Sequence, residues 1–122
     1  MGKLSDILRN GIDNGLLFWC PGCDMAHGVN HGSGTGPRWS WNGSVDKPTF
    51  SPSVLVTWTQ WVPPVTDPET LKKIDSGEIV QREEPRVCHS FVTDGRIQFL
   101  GDCTHHLAGQ TVDLPPFDDG WD

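Results

Sequence analysis

No stretch of this 122-residue chain is apolar for long enough to cross a bilayer, which excludes a helical membrane span within it. The N-terminal run MGKLSDILRNGIDNG also lacks the uninterrupted apolar region of a secretory signal. The expected location is therefore a reducing cytoplasm, where cysteines serve more often as metal ligands or catalytic thiols than as disulfides. Asp6 stands where a myristoylation signal favours Ser or Thr, so Met1-Gly2 does not read as one. Basic residues are few: 9 against 16 acidic ones give a formal net charge of −7, which works against a phosphate backbone as partner. Several reaction signatures are missing as well. There is no Gly-x-Ser-x-Gly elbow, no His-Glu-x-x-His helix, no phosphate loop, no dinucleotide fingerprint, and no His-x-Glu ahead of a Pro-Cys-x-x-Cys pair. The chain has no internal repeat. Its 35% hydrophobic content is modest for one small core, so a bound metal would add needed stability.

What the chain does hold is four cysteines and five histidines. In FWCPGCDMAH, Cys20 and Cys23 flank a Pro-Gly turn and His27 follows. Two thiols across such a turn converge readily on one tetrahedral ion, and zinc favours mixed thiolate and imidazole ligands. A disulfide, a thioredoxin-like redox pair and plain buried thiols are the alternatives. The missing export signal argues against the first, and Asp24 to Gly28 is a poor helix for the second. Free cysteines packed as small hydrophobes stay open.

The fold reads as mainly β: a small single-domain antiparallel sheet or sandwich over residues 1–122, with a zinc-knuckle-like site and one or two short helices. GLLFWC, RWSWNG and PTFSPSVLVTWTQWV carry the β-branched and aromatic types of strands, with regular pairing in the third expected only after Pro52. GVNHGSGTGP, from Gly28 to Pro37, reads as a loop. Most tryptophans are expected to fill the core. Residues 63–86 read as a peripheral insert with a short helix: Asp67 as N-cap, Pro68 in the first turn and Gly77 past the end. SDILRNG suggests another helical turn, capped by Ser5. AGQTVDLP suggests an edge strand stopped by Pro115, and the acidic tail around Trp121 reads as solvated or frayed.

The strongest local signal is VCHSFVTDGRIQFLGDC, where Asp94-Gly95 joins two alternating runs as a two-residue hairpin turn. That register opposes Thr93 to Arg96, Val92 to Ile97 and Ser90 to Phe99. It sets Cys88 and Cys103 on one face, as diagonal neighbours able to share an ion, and His89 with Asp102 on the other. The second half of a metal site is then Cys88 with Cys103, or Cys103 with His105, which rivals as fourth ligand. His27, His89 and His105 are candidates for the ligand shell, for a second metal site, or for acid and base roles beside the metal. Asp102 is placed to orient His89 or to face water.

The combination of CPGC with His27, WSWNGSVDKPTFSPS, CHSFVTDGRIQFLGDCTH and AGQTVDLP resembles a family of small proteins from bacteriophages, prophages and bacteria, some labelled ammonia monooxygenase. With no membrane segment and so short a chain, a copper-dependent membrane oxidase is not the matching chemistry. The resemblance implies an accessory protein built around Cys20, Cys23, His27, Cys88, His89, Cys103 and His105. Some such relatives accompany bacterial ubiquitin-like conjugation genes, which suits a partner-binding module or a small hydrolase. The first expectation is a phage or prophage domain held by one structural zinc, acting in the host cytoplasm by binding a host or phage protein, as in counter-defence. The alternatives are a metal-dependent hydrolase with a second, histidine-based site, and a virion structural protein.

Overall fold

The computed structural model describes residues 2–117, so the expectation for Trp121 and its acidic surroundings lies outside the described residues. The described chain is mainly β. One antiparallel sheet runs in the order β1 (Gly2–Lys3), β2 (Arg9–Asn10), β3 (Gly15–Cys20), β4 (Met25–Asn30). A second runs β5 (Ser40–Trp41), β6 (Phe50–Val62), β7 (Arg82–Thr93), β8 (Arg96–Phe99), β9 (Thr111–Asp113). The only helix among the described residues is α1 (Pro68–Asp75).

Two compact units divide the chain: Thr57–Arg86, and the remainder on either side of it. In the larger unit, alternation along the strands builds the core. Leu16, Phe18 and Cys20 of β3 are buried, as are Val54 of β6, Cys88, Ser90 and Val92 of β7, and Ile97 and Phe99 of β8. The rings of Phe18 and Phe50 meet with centroids 5.9 Å apart, joining the two sheets. Fully burying a large apolar side chain such as Phe18, Ile97 or Phe99 contributes about 1.5–3 kcal/mol. The other side of β7 presents His89, Phe91 and Thr93, of which Phe91 and Thr93 are exposed.

The hairpin at Asp94-Gly95 has the expected register, with Thr93 opposite Arg96 and Ser90 opposite Phe99. Both turn residues have positive φ, 51° and 77°, as a type I′ turn demands. Pairing stops at Phe99, however. The chain then turns, with the Cys103 amide donating to the Leu100 carbonyl, so strand parity cannot be carried on to Cys103 and His105.

Four local expectations need correction. SDILRNG forms no helix: Ser5 Oγ does accept from the amides of Ile7 and Leu8, but Leu4 and Ser5 both donate to the Leu8 carbonyl and close a hairpin turn. MAHGVN is a strand, because the Cys-Pro-Gly-Cys segment turns the chain back on itself; Asp24 donates to the Cys20 carbonyl, and Met25 through Asn30 pair with β3. β6 starts ahead of Pro52, with Phe50 and Ser51 already paired to β5. Of the described tryptophans only Trp19 is in the core, while Trp61 is exposed and the indoles of Trp39 and Trp41 donate to the carbonyls of Ser53 and Ser44.

The Thr57–Arg86 unit holds the far ends of β6 and β7 and the helix between them. Asp67 caps α1 by accepting from the Thr70 amide at 2.7 Å, which holds its carboxyl below the usual range. The helix buries none of its residues. Trp61, Leu71 and Val80 are exposed in this unit.

Candidate functional site

The β3–β4 hairpin delivers Cys20 at the end of one strand and Cys23 from the turn, and β7 delivers Cys88 from its inward face. His105 arrives from the turn after β8. The ligand atoms of Cys20, Cys23, Cys88 and His105 all lie within 4.8 Å of one another, a group able to hold a metal ion. Among the described residues no other group of three or more such side chains converges in this way. The Cys20 and Cys88 sulfurs are 3.7 Å apart and all four cysteines are free. That separation matches the edge of a tetrahedron of zinc–sulfur bonds, about 3.8 Å for bonds of roughly 2.3 Å. It is far beyond a disulfide of about 2.05 Å.

Side-chain hydrogen bonds from Cys23 and Cys88 converge on Cys20 and draw its thiol far below the ordinary value, with a smaller contribution from His27. Donating to Cys20 pushes Cys23 up to about 12 and raises Cys88 too. The Cys23 amide also donates to the Cys20 sulfur at 3.4 Å. His105 stands edge-on to Phe99, centroids 4.5 Å apart, and burial lowers its pKa. Its Nδ1 accepts from the Leu107 amide at 3.2 Å, while Nε2 is buried with no partner. The turn explains its glycine: a methyl group on Gly22 would overlap the His105 ring.

Cys103 is not in this group. Its sulfur accepts from the His89 amide and donates to the His89 carbonyl, both at 3.2 Å. His27 is 5% exposed, lies edge-on to Phe18 with centroids 6.0 Å apart, and also has an unpartnered Nε2. His89 points away from the cysteines. The structure thus does not gather His27, His89 and His105 into one site.

Instead, His89 occupies the centre of a second constellation. Its Nε2 lies 2.9 Å from Ser53 Oγ and its Nδ1 lies 3.1 Å from Asp102 Oδ2. Ser53 comes from β6, His89 from β7, and Asp102 from the turn after β8. The assignment consistent with these partners puts the ring proton on Nδ1, donated to Asp102, and leaves Nε2 to accept from the Ser53 hydroxyl. This is the connectivity of a Ser-His-Asp triad, in which histidine takes the serine proton and the carboxylate holds the imidazole in its working tautomer. The site is half open: the side chains of His89 and Asp102 are 25% and 55% exposed. The hairpin register predicts Asp102 on the face of His89, but pairing ends at Phe99 and it is the turn after β8 that brings its carboxylate to the ring. Ser53 went unread, because no motif surrounds it and only the adjacency of β6 and β7 brings it to the histidine.

Residues 3–100 match the family model described as bacterial ubiquitination-like system serine protease (BubE). The chain belongs to this family. The matched stretch contains Ser53, His89, Cys20, Cys23 and Cys88, and ends just before Asp102. No curated protein and no solved structure matches the chain. No helix among the described residues is long and apolar enough to cross a membrane.

Proposed function

We propose that the protein is a serine hydrolase of a bacterial ubiquitination-like system, cutting a peptide or isopeptide bond in a protein substrate. The observation that carries this reading is the pair of contacts through His89, 2.9 Å to Ser53 and 3.1 Å to Asp102, in a chain of this family. Ser53 Oγ attacks the substrate carbonyl while His89 Nε2 takes its proton. The same proton passes to the departing amine, and water then releases the acyl group from Ser53 by the reverse route. Asp102 orients His89 and stabilises its charged form.

The cluster of Cys20, Cys23, Cys88 and His105 is proposed as a structural zinc site. Three thiolates and one imidazole would complete a tetrahedral shell with no position left for a substrate, so an ion held there would stabilise the fold and leave the bond cleavage to Ser53. The buried, unpartnered Nε2 of His105 supports the fit. Ligation at that atom would put the ring proton on Nδ1 in place of the Leu107 contact. The proposed location is the cytoplasm, that of the host if the gene is phage-borne. A second reading, binding a host or phage protein without chemistry, draws support from the exposed Trp61, Leu71 and Val80 of the Thr57–Arg86 unit.

The deciding experiment treats wild type and Ser53→Ala with a fluorophosphonate probe, with metal analysis of both. The expected result is one label on Ser53 of the wild type, none on the variant, and one zinc in each. Hydrolysis of a susceptible ester or ubiquitin-like fusion should fall about 10⁴-fold or more in the variant. Unchanged turnover or labelling in Ser53→Ala would remove Ser53 as the nucleophile, and a wild type that neither labels nor turns over would leave the binding-module reading in place.

A further inference from the structure

The sulfur cluster and the triad share two pieces of chain. On β7, Cys88 faces the cluster and the next residue, His89, faces Ser53. On the turn after β8, Asp102 reaches His89, while His105 joins the cysteines. Between those two lies Cys103, the cysteine that the cluster leaves out. Its sulfur takes over where the β7–β8 ladder stops, accepting from the His89 amide and donating to its carbonyl, each at 3.2 Å. On either side, the Leu100 amide donates to the His89 carbonyl at 2.9 Å and the Thr104 amide to the Val87 carbonyl at 3.0 Å. Thr104 Oγ1 also accepts from the Val87 amide at 3.0 Å.

This matters because the two partners of the triad's acid–histidine pair sit on unlike supports. His89 is on a strand paired on both sides, whereas Asp102 is on an irregular turn and more than half exposed. Thiols are weak donors and acceptors, so Cys103 alone is a soft tether. An ion binding His105 and Cys88 together would tie the turn to β7 by two strong bonds. A displacement of about 1 Å in such a constellation costs on the order of 10²-fold in rate.

We propose that the metal cluster is the positioning device of the triad. An ion held by Cys20, Cys23, Cys88 and His105 anchors the 100–105 turn to β7, and Cys103 is the positioning residue that passes this anchor to His89, so that Asp102 meets Nδ1. The proposal rests on the serine hydrolase reading for its catalytic consequence, but its geometric content stands apart from activity.

The test uses the zinc-loaded protein, as wild type, Cys103→Ala and Cys103→Ser. Four quantities are measured: zinc per chain, the thermal melt, kcat and KM for p-nitrophenyl acetate, and the ¹⁵N shifts of the His89 ring, which report whether Nδ1 carries the proton. For Cys103→Ala the expected result is one retained zinc, KM within about 2-fold, kcat lowered about 10-fold or more, and a His89 ring no longer locked as the Nδ1–H tautomer. Cys103→Ser, whose hydroxyl can give and take the same hydrogen bonds, should recover most of both. Stripping zinc from the wild type with a chelator, below the melt of the stripped protein, should loosen the same ring shifts. Wild-type kcat and ring shifts in Cys103→Ala would overturn the proposal, and so would loss of zinc, since Cys103 would then be a ligand. Turnover that does not depend on Ser53 would sink the hydrolase reading instead, and the ring shifts would still decide whether Cys103 holds His89 to Asp102.

Discussion

One strand, β7, serves two sites that differ in almost every physical respect. Its inward residue Cys88 is 1% exposed and joins a closed set of three thiols and an imidazole. Its outward neighbour His89 is half-buried, bonded to a hydroxyl and a carboxylate, and open to a substrate. The pleat makes this possible, because successive side chains of a strand point to opposite faces. A buried set of soft ligands suits an ion that stays; a half-exposed imidazole with a hydroxyl in reach suits turnover. The lesson is that the cysteine pattern, the most conspicuous feature of the chain, marks the back of the Ser53–His89–Asp102 constellation and not that constellation itself.

The sharpest way to break this division is at Cys20, on which the other two thiols of the cluster converge. In Cys20→Ser the cluster should no longer hold the zinc proposed for it. A marginal stability of about 5–15 kcal/mol cannot absorb the loss of a structural zinc site, so the chain should lose its cooperative melt and its activity together. Metal analysis and circular dichroism check this. A folded, metal-free Cys20→Ser that still reacts with a fluorophosphonate would separate the two sites altogether.

A smaller perturbation leaves all ligands in place. Gly22 carries no side chain because the His105 ring occupies the space that a Cβ would need. Gly22→Ala should push the ring off the cysteines and weaken zinc binding about 10–100-fold, as loss of a supporting contact around a metal typically does. Competition against a chelating dye measures this. If the two faces are coupled through the 100–105 turn, kcat should fall in parallel; an unchanged kcat with weakened binding would argue for two independent sites.

Legibility followed the range of the signal. Cys20, Cys23 and the Asp94-Gly95 turn are local patterns, and each led to the right element. The set Cys20, Cys23, Cys88 and His105 was narrowed but not reached. Strand parity, carried past Phe99, made Cys103 the partner of Cys88, whereas the turn at Leu100–Cys103 sends Cys103 to the His89 backbone and brings His105 in. β4 was hidden because Gly28 and Asn30 are poor strand formers, and its pairing is imposed by the hairpin turn. Ser53 was hidden for the deepest reason. A serine between Pro52 and Val54 has no chemistry until β6 lies beside β7, and that adjacency is tertiary.

The inward face of β7 offers the mildest test of the comparison. Ser90 sits between His89 and Phe91 but points into the core, 1% exposed, and its hydroxyl is buried without a hydrogen-bond partner. A buried hydroxyl with nothing to bond is a net cost, so Ser90→Ala, which leaves only a small void, should stabilise the protein by about 1 kcal/mol or be neutral. The melt should rise by roughly a few degrees while kcat, KM and zinc content stay as in the wild type. A destabilised Ser90→Ala would mean that the hydroxyl has a partner in solution. If kcat fell as well, the inner face would be taking part in the chemistry of the outer one, and the division between a structural back and a reactive front would have to be redrawn at this residue.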